Sequence, residues 1–431
     1  MISLSRREWL ALCYAGTPCL AANEGTDYPQ QVEDVSAAFE AAPGVQVTQI
    51  TNSALGNQLS YYDIPCYAPT PDRLIYNTIV SAPQGKKAKP NKPGKGAETS
   101  TWGVVSSRTD GTNPKLLVRR IPATSSTVRV DMSQDGNLVT YTRLNDAAGT
   151  GWDLYGFRTG NGKAVDEFRI THLQTPFGLP NKVKTSPPVW DAKRKKHLCA
   201  FSIDEKVHLV FEDGSSPNGP AGTAIAPLTD LTDYPERREE DTSFHRIRLN
   251  PAFPNLLYYR RNGIRDNWVI DLSEARPKSR RITDWTASIH ATWSTDGQTL
   301  AGSMHGPWVE WSVADRSGRL RDNIKQQEVG PFGKEGRPGI FYGCYDGDSR
   351  RIAIATRFDE EPGGSLWVMD RVTGKAVYLC KARYFGPVTA GQPRMGFVDH
   401  DRALVFSSDN SAGRDVSMPP QIFVIRPLPK V

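Results

Sequence analysis

An Asp-Gly pair set between two runs of alternating apolar residues keeps returning along this 431-residue chain, and no other feature narrows its fold so far. The unit reads Val128-Arg-Val-Asp-Met-Ser-Gln-Asp135-Gly136-Asn-Leu-Val-Thr-Tyr, then His290-Ala-Thr-Trp-Ser-Thr-Asp296-Gly297-Gln-Thr-Leu-Ala, then Ile340-Phe-Tyr-Gly-Cys-Tyr-Asp346-Gly347-Asp-Ser-Arg-Arg-Ile-Ala. A degenerate copy, Met395-Gly-Phe-Val-Asp-His-Asp401-Arg-Ala-Leu-Val-Phe, follows near the end. Glycine after aspartate supplies the positive φ of a tight hairpin, so each unit predicts a strand, a turn and a second strand. A third apolar strand follows each time, as in Trp152-Asp-Leu-Tyr-Gly-Phe, Asn267-Trp-Val-Ile-Asp, Ser365-Leu-Trp-Val-Met-Asp and Gln421-Ile-Phe-Val-Ile. Recurrence of such a unit about every 40–60 residues is the mark of propeller blades, whose two faces are covered by their neighbours. No helical periodicity of any length follows residue 45. The expectation is an all-β chain, a β-propeller of seven blades over residues 45–431.

The ends and insertions read differently. Ser5-Arg6-Arg7-Glu8-Trp9-Leu10, a short apolar stretch and small residues at Ala21 and Ala22 predict a twin-arginine-like signal peptide over residues 1–22. Residues 23–44 are then an N-terminal extension, and the expected location is the periplasm or the exterior. Nothing beyond the leader reaches the apolar length of a membrane-spanning helix. Lys86–Ser100 and Gly214–Glu240 read as polar loops, the second long enough to help build a site.

The formal charge is +6, with basic and acidic residues interleaved outside Lys86–Lys95 and Lys193–Lys196. That pattern argues against a nucleic-acid partner and suits a small anionic ligand. Cys66, Cys199, Cys344 and Cys380 lack C-x-x-C spacing, which argues against zinc and leaves disulfides and buried thiols both open. No nucleophile-elbow, phosphate-loop, dinucleotide or H-E-x-x-H pattern occurs.

Two of the seven histidines, His245 and His290, open the strands that lead into consecutive hairpins. The innermost strand of a blade lines the channel, so matched positions there are expected to face one site. Tyr61 and Tyr62 are expected at the same mouth. Trp285, Trp293, Trp308 and Trp311 could stack on sugars or fill blade interiors.

Several of these segments resemble one family. Phe244–Asn262 has the shape of the "H-x-x-x-x-N/S-P … L-L" blade of oligogalacturonate lyases. His290-x-x-Trp293-Ser-x-Asp-Gly is similar to that family's "H-E-x-W-x-x-D-G" blade. Val47-Thr-Gln-Ile-Thr-Asn-Ser-Ala-Leu-Gly-Asn with Tyr61-Tyr62 is similar to its opening blade, and Phe397 … Leu404-Val-Phe-Ser-Ser-Asp409 to its closing one. The resemblance implies a seven-bladed propeller that cleaves uronate oligosaccharides by β-elimination beside a divalent metal, typically manganese. His290 matches the first metal ligand. The family's His-Pro-His, however, is replaced here by Gln392-Pro393-Arg394, and its upstream glutamine falls near Thr389. Arginine coordinates no cation, so His290 and Gln392 are left as a degenerate pair, and the expectation is no cofactor, or manganese only where the site is partly kept.

Elimination still needs the carboxylate charge offset and a base for the C5 proton. The bidentate fork of Arg394 suits the first task, and His245 the second, with Arg237, Arg238 and Arg261 as alternative bases. His290, Gln392, Arg394, Tyr61 and Tyr62 would hold an acidic oligosaccharide, on a chain expected to act as a monomer. The competing expectation is a non-catalytic periplasmic propeller of the TolB or WD40 kind that binds a protein or a glycan, since one fold serves both.

Overall fold

A computed structural model describes residues 33–53, 56–61, 63–70, 72–81, 101–122, 130–144, 151–160, 166–174, 184–203, 206–217, 224–225, 244–261, 267–273, 279–283, 290–303, 306–334, 338–356, 364–383, 394–409 and 420–431. The expected leader, the Lys86–Ser100 insertion and most of Gly214–Glu240 lie outside them.

The chain is all-β, and its strands form seven antiparallel sheets, one per blade. The fourth blade is typical, with Phe244–Leu249 innermost, then Leu256–Arg261, Asn267–Asp271 and Ser279–Thr283 at the rim. The third strands expected at Trp152, Asn267, Ser365 and Gln421 each occupy the third place in their sheets. Seven hydrophobic clusters fill the seven gaps between blades. For example, Val130, Met132, Tyr141 and Phe157 of the second blade pack on Ile75, Trp102 and Val104 of the first. Trp308 and Trp311 are buried in such gaps, so packing is what these rings supply, and Trp293 packs in the same gap as Trp311 with an edge left on the channel.

The ring closes non-locally. Gln46–Gln49 pairs with Gln421–Arg426 in the last blade, with Val47 opposite Ile425, and Glu33–Asp34 adds a fifth strand. The segment that resembles an opening blade therefore has its Val47 strand in the closing blade. Phe39 locks this joint, its ring 4.8 Å from Phe423 and 5.8 Å from Phe406. Closure of this kind removes the exposed strand edge that an open ring would carry.

The hairpins also join the blades. Gly136 and Gly297 both have φ of +72°, and a Cβ would stand 2.5 Å from the Ala68 Cα in the first case and 2.3 Å from the Asn250 Oδ1 in the second. Only glycine satisfies both the turn and the approach to the preceding blade. Asp346-Gly347 differs from expectation, because the positive φ falls on Ser349 (59°). Gly347 instead donates its N–H to Asp401 Oδ2 at 2.9 Å, across to the next blade. In the closing blade Asp399, His400 and Asp401 all adopt positive φ.

Asp135 of the second blade's hairpin meets His197 of the third at 3.0 Å, and His197, 1% exposed, meets Glu212 at 3.2 Å. Burial alone would push the Asp135 carboxyl up. Hydrogen bonds with His197, Ser133 and the Asn137 N–H outweigh it and hold the group well below its usual 3.8. A depressed folded value means stabilisation that is present above the unfolded value and lost as the pH falls below it. Chemical denaturation across an acid series is expected to show stability declining below pH 4, with Asp135→Asn flattening that decline and lowering stability at neutral pH. A variant whose acid limb overlays the parent's would rule this out.

Candidate functional site

The innermost strands all start at one mouth of the channel and end in hairpins at the other. Hairpin bonds give the register: Asn250, Ser294 and Asp346 donate their N–H groups to Leu256, Thr299 and Arg351 across the turn. Four residues before these lie Arg246, His290 and Tyr342. Arg394 holds the corresponding place just ahead of Met395–Val398 in the last blade. The matched partner of His290 is thus Arg246, not His245. The reason is a bulge: Phe244 pairs with Arg261 and Arg246 with Arg260, so His245 is the extra residue.

Tyr61 gathers these positions. It lies between Asn57–Gln58 and Tyr67–Ala68 of the first blade, on a stretch that reaches into the channel. The Arg246 guanidinium carbon stands 4.9 Å from the Tyr61 ring centre, that of Arg394 5.7 Å, and the Tyr342 ring meets it edge-on at 5.9 Å. The His290 ring is 4.6 Å from Tyr342 and 4.8 Å from Phe341. Tyr61 and His290 are partly exposed, whereas Arg246 (2%) and Arg394 (4%) lie beneath them. Arg394 Nη1 donates to the carbonyls of Leu59 and Ser60, both at 2.7 Å, which fixes the stretch that carries Tyr61. Arg246 Nη1 donates to the Ala291 carbonyl at 3.2 Å and lies 3.5 Å from Asp63.

Asp63 and Arg248 form a second tier. Arg248 Nε and Nη2 donate to the two Asp63 oxygens at 2.7 and 3.1 Å, a bidentate pair that joins the first blade to the fourth. Burial pushes the Arg248 guanidinium down, and Asp63 more than offsets it.

The sequence-predicted residues fall into three groups. His290, Arg394 and Tyr61 come together at this mouth. The backbones of His245 and Arg261 lie in the first two strands of the fourth blade. Tyr62, Arg237, Arg238 and Gln392 are outside the described residues. Arg246, Asp63, Arg248 and Tyr342 were not singled out from sequence, although two arginines two apart on an innermost strand share its channel face.

The described groups assembled here are one imidazole, two phenols, three guanidinium groups and a single carboxylate, Asp63, whose two oxygens Arg248 already engages, and this set does not fit a divalent cation. Among the described residues, no three His, Cys, Asp or Glu side chains could hold a metal. Cys66, Cys199, Cys344 and Cys380 are free and buried, and burial pushes the Cys66 thiol up to about 12. No helix among the described residues is long and apolar enough to cross a membrane.

By sequence, no family model matches the chain, and no curated protein matches it either. By structure, an oligogalacturonate lyase in complex with manganese is similar, with a TM-score of 0.59 at 13% identity over 94% of this chain and 98% of that one. An oligogalacturonate lyase from Vibrio parahaemolyticus gives 0.57 at 14% identity, covering 92% and 96%. A β-propeller domain from Myceliophteria thermophila gives 0.51 at 13%, covering 92% and 99%. At such identities the likeness establishes the propeller fold.

Proposed function

We propose that the mouth around Tyr61 binds an acidic oligosaccharide and cleaves it beside a uronate by β-elimination. One observation carries this reading: matched positions of four consecutive blades supply Arg246, Tyr342 and Arg394 to the Tyr61 ring, and His290 to the Tyr342 ring beside it. Two guanidinium groups under a partly exposed phenol give an electropositive floor, and Tyr61 and His290 give a surface on which a sugar ring can lie. The carboxylate of the bound uronate is then offset by charge that lies beneath the aromatic layer.

In the reaction a base takes the C5 proton, the C5–H electron pair forms the C4–C5 double bond, and the C4–O bond breaks. The departing oxygen picks up a proton, so one glycosidic link yields an unsaturated end and a hydroxyl. His245 is the proposed base, since its backbone enters this mouth beside Arg246, with Arg237, Arg238 and Arg261 as alternatives. The place of action is outside the cytoplasm, following the leader expected at residues 1–22.

The burial of Arg246 and Arg394 favours a second reading, in which the same mouth binds an acidic glycan without cleaving it. Incubation with oligogalacturonides distinguishes the two. The expected result is growth of the ultraviolet absorbance of the unsaturated product, unchanged by a chelator. Tight binding with no absorbance change would select the second reading, and no binding would remove both.

A further inference from the structure

The opposite mouth, where the hairpins converge, holds a cavity of about 250 Å³ lined by residues of all seven blades. Its floor is the Asp63–Arg248 pair, whose bidentate hydrogen bonds leave no net charge there. Trp293, Tyr67 and Phe397 supply aromatic wall, and prolines such as Pro187, Pro188 and Pro251 add apolar wall without N–H groups. None of Arg246, His290 or Arg394 lines it.

Three side chains at the rim retain hydrogen-bonding capacity. The Gln134 amide and the His400 imidazole enter no hydrogen bond among the described residues. Asp401 uses Oδ2 for the Gly347 N–H, and Oδ1 accepts none among the described residues. Gln134 comes from the second blade and His400 and Asp401 from the seventh, so polar groups face the cavity from two sides. Amide, imidazole and carboxylate together both donate and accept, which matches hydroxyl groups. Charge argues the same way: an anion would meet Asp63 and Asp401, and a cation would meet Arg248.

We propose that this cavity is a second binding site, for a neutral hydroxylated ring of monosaccharide size. Its apolar C–H face lies on the aromatic wall and its hydroxyls bond Gln134, His400 and Asp401. The combination of apolar wall and a few converging polar groups is what small-ligand sites share. The site is independent of the chemistry proposed for the Tyr61 mouth.

Saturation-transfer NMR with glucose, galactose and mannose at millimolar concentration tests this on the full chain, with galacturonate as the charged comparison. At least one neutral sugar is expected to show saturation at its ring C–H protons, and galacturonate none that the Asp401 variant abolishes. Gln134→Ala, at an exposed position, and Asp401→Asn, which can still accept from Gly347, should each weaken binding about fivefold. Tyr61→Phe should leave it unchanged. Silence from all three neutral sugars, or variants that bind as the parent does, would overturn the proposal. Loss of the signal in Tyr61→Phe would assign it to the other mouth and overturn it equally.

Discussion

Glu310→Ala lowers the stability of the folded ring by about 3–5 kcal/mol, the cost typical of removing one partner from a buried ion pair. Glu310 is 1% exposed, on the third strand of the fifth blade, Trp308–Ala314. Both its oxygens accept from Arg371 Nε at 3.0 Å, and one also accepts the Tyr345 hydroxyl at 2.7 Å. Arg371 follows the third strand of the sixth blade and also donates Nη2 to Thr299 of the fifth at 2.6 Å. The carboxylate thus ties two blades at a point where no solvent replaces it. Truncation leaves the Arg371 guanidinium and the Tyr345 hydroxyl without the acceptor that compensates their burial. Urea denaturation followed by tryptophan fluorescence reads the difference. Glu310→Gln, which keeps the shape and an acceptor for Tyr345, should recover part of the loss. A midpoint for Glu310→Ala within error of the parent's would show that the pair contributes nothing to the joint.

The blades were legible in the sequence because their signal is local. Period-two alternation and Asp-Gly at 136 and 297 each depend on a few neighbouring residues, and the third strands follow at short range. Closure is the opposite case. Nothing near Gln46–Gln49 says that its partner is Gln421–Arg426, because that pairing joins the two ends of the chain. Asp346-Gly347 looks like the other hairpins, yet tertiary demand from Asp401 takes the glycine for a close approach and moves the positive φ to Ser349.

The candidate site was half legible for a related reason. His290 was visible at a strand start, Arg394 through the His-Pro-His it replaces in the resemblance, and Tyr61 beside the segment similar to an opening blade. Counting forward from the strand start made His245 the match of His290, whereas counting back from the turn gives Arg246, and a one-residue bulge separates the two counts. Tyr342 carried no signal at all, since an aromatic residue on an inner strand is ordinary core. Asp63 sits in an irregular stretch with no periodicity, and only the folded ring brings it to Arg246 and Arg248.

Arg246→Gln is expected to weaken binding of an oligogalacturonide by about 1.5–3 kcal/mol, the size of one unit charge acting over several ångströms in a partly buried site. Arg246 is the closer of the two guanidinium groups to Tyr61, at 4.9 against 5.7 Å. It also differs from Arg394 in what holds it. Arg394 is anchored to two carbonyls, so its loss would first release the stretch that bears Tyr61. Among the described partners, Arg246 donates to one carbonyl and lies near an Asp63 that Arg248 already engages bidentately, so Arg248 still balances Asp63 after Arg246 is gone. The fold should therefore survive the Arg246 change better than an Arg394 change, and the lost affinity should report charge. Calorimetric titration at two ionic strengths separates charge from shape, because salt narrows a gap between parent and variant that is electrostatic and leaves a steric one intact. A neutral oligosaccharide of equal length should not distinguish the two proteins. Equal affinity for the acidic ligand, in a variant that unfolds like the parent, would mean that the arginines beneath Tyr61 serve the ring's architecture and that the ligand lies elsewhere.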